Sequence, residues 1–474
     1  MKNRIVYYIT FLLSLAFFSS CKKQLELLPS DIIVPDKAFT SVLDLQKALL
    51  GVYAANGGGA GNRTYIGGIL SDEAKMASSN RGQGQSTYKW QYSGTEAEHN
   101  ADFLNYYSMI DAANKILAVI DNVPAYGASE TNLKKRIKAE LYVLRAIAHF
   151  ECLVEFMPVG YTAGAMGVPV VLKSSQTATP ARNTVGEVIN QVSQDLALGR
   201  AETNIPTAPD DVIRLSQATI AAYQARVALL TNNWPGVIAR TTEALNFARQ
   251  SGRALTGLDN QLQEFSDYWS DANEVETLWK FRNQATPQGY WFDTNGDVFF
   301  QASDKLIGDY DQGNDIRFVV FFTTFIFNNH IVAFNKYPGS QQGPQINDLK
   351  LVRMGELYLN MAEGYAQQSD LPNAAKYLDT LRSDRIFGYT LGGLTFASKQ
   401  DAIDQTLDER YKELCFEGFR FFDLKRNSLP IDRQASDVGS PNWQNLPATD
   451  HRWALPIPQH EIFANKNMKQ NPGY

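Results

Sequence analysis

The chain has 474 residues, enough for a sizeable core in one large body or in several smaller ones. Hydrophobic residues at 44% and charged residues at 20% describe a folded protein, neither disordered nor membrane-embedded. A net charge of −6, with no basic run longer than three, argues against a phosphate-backbone binder, so no nucleic-acid partner is expected.

Residues 1–20 read "MKNRIVYYITFLLSLAFFSS". Lys2 and Arg4 precede an apolar stretch from Ile5 to Phe18, and Ser19 and Ser20 lead into Cys21. A membrane-crossing helix needs about 20 apolar residues, so this shorter stretch predicts an export signal. "FSSC" resembles a bacterial lipobox, with Phe18 in place of the usual leucine. The likeness implies acylation of Cys21, which then begins the mature chain and anchors it in a membrane. An ordinary signal peptide with an incidental cysteine is the alternative.

The leader "KKQLELLPSDIIVPD" has no clear period, and helical spacing takes over after it. Val42, Leu45, Leu49 and Val52 recur at three and four residues, as do Phe103, Tyr106, Ile110, Leu117 and Ile120. A longer amphipathic run covers about 131–156, with Ile137, Leu141, Leu144, Ala148 and Cys152 on one stripe. "NGGGAGNR" at 56–63 lacks the Lys-Ser/Thr of a phosphate loop and predicts a helix stop. Asp72 and Glu73 in "SDEAK" are expected to open a helix.

Two later segments share one grammar. "ARVALLTNNWPGVIARTTEAL" at 225–245 and "AEGYAQQSDLPNAAKYLDTL" at 362–381 align without a gap. Each has a small-residue helix, a polar turn, and a proline (Pro235, Pro372) opening a second helix, where its missing N–H costs nothing. That is the logic of tetratricopeptide repeats. Between them, "ETLWKFR" at 276–282 alternates like a strand, and "FVVFFTTFIFNNHIVAFNKY" at 318–337 reads as strand or hairpin. Asp293, Asn295, Asp297 and Asp304 have calcium-loop spacing, but Val298 stands where that loop needs glycine, so a solvated turn is expected and no metal or cofactor.

Cys152 and Cys415 belong to no metal or CxxC spacing and read as small buried hydrophobes. The five histidines form no HExxH, and no GxSxG occurs, so no catalytic residues are named. "RYKELCFEGFRFFDLKR" at 410–426 crowds four phenylalanines among charges of both signs. Glu413 with Glu417, and Phe416 with Arg420, are one helical turn apart, and Gly418 predicts a break before a second short element. This box is read as scaffold.

The lipobox-like start, "ALLGVYAAN", "YVLRAIAHFECLVEF", "VRMGELYLNMAEGYAQQSD", the 410–426 box and the ending "HRWALPIPQHEIFANKNMKQNPGY" together resemble the SusD/RagB family of Bacteroidetes surface lipoproteins. The resemblance implies a mainly α fold of tetratricopeptide-like helix pairs, an α-α superhelix with small β insertions and long loops. It would comprise the signal peptide 1–20, an N-terminal helical region 21–270 and a C-terminal region 271–474, in one compact body. It further implies a non-catalytic nutrient-binding protein of the outer membrane. Such a protein captures oligosaccharides, or in some members peptides, for a SusC-like TonB-dependent transporter. A surface glycoside hydrolase is the remote alternative. Sugar binding calls for flat aromatic faces with fixed polar partners. Two loop clusters supply the faces: Tyr88, Trp90 and Tyr92, which alternate and share one side if extended, and Tyr290, Trp291 and Phe292; the alternative is that either cluster is satellite core.

Overall fold

In the computed structural model the described residues are 39–209, 211–256, 261–285, 297–322, 325–327, 330–332, 334–343 and 346–474. The signal segment 1–20, Cys21, the leader, Asp293, Asn295 and the Tyr290–Phe292 cluster lie outside them.

Helix α1 (Val42–Leu70) starts at a capping box, in which the Ser41 hydroxyl accepts the Asp44 N–H and the Asp44 carboxylate accepts the Ser41 N–H. It runs straight through residues 56–63, so the glycines do not stop it. The cost of glycine in a helix is about 1 kcal/mol per residue. Burial of Val52 and Tyr53 on one side of the glycines, and of Tyr65, Ile66 and Ile69 on the other, offsets it. Near its end Gly67 meets Gly418: a Cβ at Gly67 would lie 2.9 Å from the Gly418 Cα.

Helices α2 (Ala97–Val119), α3 (Gly127–Phe156), α4 (Val185–Ala201), α5 (Gln217–Leu230) and α6 (Trp234–Gln250) follow. The expected stripe on α3, from Ile137 to Cys152, is buried throughout. Helices α7 (Met354–Gln367) and α8 (Leu371–Ser383) then pack as α5 and α6 do. The shared grammar of the two pairs is realised atom for atom. Asn232 and Ser369 take left-handed φ values of 55° and 63°. Asn233 and Asp370 cap the next helix by accepting the N–H of Gly236 and Asn373, and Pro235 and Pro372 sit in its first turn. The long helices thus form four antiparallel pairs, α1/α2, α3/α4, α5/α6 and α7/α8, each packed on the next. Helix α9 (Lys399–Glu413) closes the array against α7.

The β content is small, as expected. Strand β1 (Ala74–Met76) pairs antiparallel with β3 (Phe300–Ala302), and β2 (Thr277–Ala285) with β6 (Ile346–Arg353). Among the described residues of 318–337 the expected hairpin comprises β4 (Phe325–Phe327) and β5 (His330–Val332), and Ile316–Phe321 is a short helix instead. Two-residue strands β7 (Ile431–Asp432) and β8 (Asn445–Leu446) pair near the C-terminus. The main hydrophobic cluster draws on residues from Val42 to Met468.

The 410–426 box is scaffold, with one correction. Helix α9 ends at Glu413, so Glu413–Glu417 and Phe416–Arg420 are not helical neighbours. Phe416 takes φ 56° and Gly418 φ 78°, turning the chain before α10 (Arg420–Arg426). The turn brings both glutamates onto buried arginines. Glu413 accepts from Arg353 at 2.6 Å, Arg385 at 3.0 Å and Arg317 at 3.1 Å, and Glu417 from Arg353 at 2.7 Å. Phe419 and Phe422 lodge on the inner side of the helix array, against Arg226 of α5 and Arg63 of α1. Arg426 binds Glu363 of α7, and Lys425 donates to the carbonyls of Val154 and Glu155 on α3. The first helix of every pair therefore faces the box. What remains beside it is two cavities of about 40 and 50 Å³.

Candidate functional site

The first aromatic cluster is not a surface. The segment is a short helical turn, Gln85–Tyr88, followed by Trp90 at φ 53°, so the alternating rings do not project together. Tyr88, Trp90 and Tyr92 are all buried, at 0, 2 and 5% exposure. Each has an internal partner: the Tyr88 hydroxyl donates to Asp437 O, Trp90 Nε1 to Leu70 O, and the Tyr92 hydroxyl to Arg452 O. Their expected role as stacking platforms is corrected to core. The rings of Tyr88 and Trp90 hold the guanidinium of Arg433, at 4.0 and 4.1 Å from their centroids. That guanidinium donates to five carbonyls, of Ile69, Leu70, Ser71, Tyr88 and Trp443, joining three separate stretches of chain.

Asp72 and Glu73 do not open a helix; they pass from α1 into β1, fully inside the protein. Burial alone would raise the Asp72 carboxyl, but Arg420 and Lys305 outweigh it and hold it well below the usual carboxylate range. Arg420 Nε and Nη2 reach it at 2.8 and 2.9 Å and Lys305 Nζ at 2.6 Å. Glu73 has no such partner. Burial, with the neighbouring Asp72 charge, pushes its carboxyl well above the ordinary range against the Phe416 N–H, at 3.2 Å, and the charges of Arg420 and Lys336.

What the structure exposes beside these buried groups is the loop 77–84. It lies against the stretch that runs into β3, just after the second aromatic cluster in sequence. Ser79 Oγ donates to Val298 O at 2.5 Å, Asn80 Nδ2 to Phe299 O at 3.0 Å, and Arg81 pairs with Asp297. Gln85 Nε2 donates to Asn80 Oδ1 at 2.9 Å, and Lys89 Nζ to Gln85 Oε1 at 2.8 Å. Lys89 in turn stands over the half-buried ring of Trp443, 4.6 Å from its centroid. A continuous strip of polar side chains thus runs from Asp297 through Arg81, Asn80, Gln85 and Lys89 to Trp443. Trp443 was not singled out in the sequence, because a lone tryptophan in "SPNWQN" has no pattern around it.

Asp297 takes the Arg81 ion pair, and Asp304 opens the short helix Asp304–Gly308 and pairs with Lys75, so neither is turned toward a shared ion. Among the described residues no three His, Cys, Asp or Glu side chains converge as metal ligands. Cys152 and Cys415 are both buried and in no disulfide, and burial raises both thiols. Among the described residues no helix is long and apolar enough to cross a membrane.

The paired, end-to-end helices define a tetratricopeptide-like α-α architecture, and known proteins share it. Residues 289–474 match the model of the SusD family, and residues 28–229 match one described as starch-binding associating with outer membrane. SusD-like protein P38 of Formosa agariphila is 22% identical, over 98% of this chain and 98% of its own. SusD-like protein P2 of the same organism is 24% identical, over 99% of both. A SusD superfamily protein of Bacteroides thetaiotaomicron superposes with a TM-score of 0.78 at 25% identity, covering 91% of this chain and 100% of its own. A SusD-like carbohydrate binding protein of Bacteroides vulgatus gives 0.76 at 19% identity, covering 91% and 98%. The chain belongs to the SusD/RagB family.

Proposed function

We propose that this protein is a surface-anchored, non-catalytic binding lipoprotein. It captures oligosaccharides at the outer membrane and passes them to a SusC-like TonB-dependent transporter. The family supports carbohydrate binding at the cell surface. The observation that carries the reading is the strip from Asp297 to Trp443, in which Arg81 is exposed and Asn80, Gln85, Lys89 and Trp443 are half-buried. It offers donors, acceptors and an aromatic ring of the kinds a sugar needs, next in sequence to Tyr290, Trp291 and Phe292. On this reading those three residues supply the further stacking faces, and Cys21 carries the lipid.

A peptide ligand is the second reading. Its obvious seat, the inner side of the helix array, is filled by the protein's own 410–426 box. Hydrolysis is disfavoured because Asp297 on the strip and Asp304 nearby in sequence are both tied to cations. The test is calorimetry of the full chain in mild detergent against panels of oligosaccharides and peptides. Saccharide binding that weakens in Trp291→Ala is expected. Peptide binding alone, or turnover of a glycan, overturns the reading.

A further inference from the structure

Three cations on or near the strip are neutralised at contact distance. Lys75 pairs with Asp304, Arg81 with Asp297, and Lys305 with Asp72. Lys89 differs. Among the described residues its ammonium has no carboxylate within ion-pair reach; its partners are the Gln85 amide oxygen and the face of Trp443. An ammonium resting on an aromatic face still has donors free for an anion in direct contact.

The two residues are also held at a fixed separation. Arg433 Nη1 donates to Tyr88 O, one residue before Lys89, at 2.7 Å, and to Trp443 O itself at 3.1 Å. The N–H of Lys89 is tied back to Gln85 O, and a Cβ at Gly439 would lie 3.3 Å from the edge of the Trp443 ring. The backbones are fixed, while the lysine's ammonium is held only by one amide oxygen and the ring face. Moving the ammonium aside uncovers the ring face, and the same movement carries the positive charge to the ring's rim. A sugar ring stacked on Trp443 with an anionic substituent at that rim would use both.

Resting on the saccharide-binding reading, we infer that Lys89 and Trp443 form a subsite for a negatively charged sugar residue. The shared chemistry is an anionic oxygen group on a pyranose, either a uronic-acid carboxylate or a sulfate ester. Lys89 is the specificity-determining residue and Trp443 the stacking one. Neutral sugars meet Trp443 but leave Lys89 without an anion.

The experiment is calorimetry of the full chain in mild detergent with two pairs of oligosaccharides. One pair is an oligogalacturonate and its methyl ester; the other is a sulfated galacto-oligosaccharide and its desulfated form. The expected result is at least tenfold tighter binding of the charged member of one pair, weakening as salt is raised. Lys89→Gln removes that preference, bringing the charged member's affinity down to that of its neutral counterpart. Lys89→Arg keeps it, and Trp443→Ala weakens both members. Equal binding of charged and neutral members, or a preference that survives Lys89→Gln, overturns the subsite while leaving saccharide binding intact. If no member of either pair binds and a wider neutral panel does, the subsite alone is wrong. If nothing binds, both readings fail.

Discussion

The guanidinium of Arg433 lies 4.1 Å from the centroid of the Trp90 ring, and through it the two ends of the chain are joined. Both groups are buried, at 2% exposure each. Trp90 therefore serves Arg433, while the ring that Arg433 positions by its backbone, Trp443, is the one left half-exposed.

Trp90→Ala should lower stability by about 3–5 kcal/mol, the cost of emptying a buried aromatic site. Trp443→Ala should leave the melting temperature nearly unchanged and weaken saccharide binding by roughly 1–3 kcal/mol. Urea melts and calorimetry separate the two. Equal destabilisation by both substitutions would place Trp443 in the core.

Neighbours Asp72 and Glu73 should respond oppositely to neutralisation. Asp72→Asn strips the charge that Arg420 and Lys305 share, and removing one partner of a buried pair typically costs about 3–5 kcal/mol. Glu73 is held in its uncharged form by burial, so Glu73→Gln should cost less than about 1 kcal/mol. Denaturant midpoints of the two variants decide; a severe loss in Glu73→Gln contradicts the assignment.

A buried histidine sets one part of the acid response. In the neutral ring of His149, Nδ1–H donates to Arg145 O at 3.0 Å and Nε2 accepts the Val171 N–H at 3.2 Å. Burial lowers this imidazole from 6.5 to about 4. The unfolded chain takes up the proton first, so the stability tied to neutral His149 is present above pH 6.5 and lost as pH falls toward 4. At about 1.4 kcal/mol per unit that is up to about 3 kcal/mol. Glu155, which burial raises to about 7, acts in the opposite sense over much of that range. The readout is therefore the difference between wild type and His149→Gln in urea midpoints at pH 7 and pH 5. The variant should show less acid destabilisation, and parallel losses would refute the point.

Gly67→Ala tests the contact with Gly418. The added methyl would sit 2.9 Å from backbone that cannot step aside, so a loss of about 1–3 kcal/mol is expected in thermal or urea melts. The same substitution at Gly51, which has nothing within 4 Å, should be neutral or slightly stabilising.

Cys21→Ala should abolish acylation and move the protein from the membrane to the soluble fraction. Metabolic labelling with a fatty acid, followed by fractionation, checks it; labelled mutant protein would contradict the anchor.

What could be read from the sequence was whatever depends on near neighbours. The repeat pairs were legible because cap, proline and apolar stripe all lie within about twenty residues of one another. The break at Gly418 was legible for the same reason. The "YKWQY" alternation misled because five residues are compatible with a strand or with a turn followed by a left-handed residue. The choice is made by Arg433, far along the chain. "NGGGAGNR" misled because helix propensity is local, whereas the burial that keeps α1 helical comes from the helices packed around it. The strip from Arg81 to Trp443 had no chance of being seen, since its members meet only after β1 and β3 pair and Arg433 docks.

The docking of residues 410–433 onto the end of α1 also sets an order of events. Asp72, Glu73 and the carbonyls of Ile69, Leu70 and Ser71 receive Arg420, Phe416 and Arg433 from the last part of the chain to be made. Until those residues arrive, the first helix pair ends in a bare carboxylate and open carbonyls, and the inner side of the array is exposed. Closure waits on contacts of very large sequence separation, which form slowly. A chain cut short before residue 410 would stay unfinished and prone to aggregation.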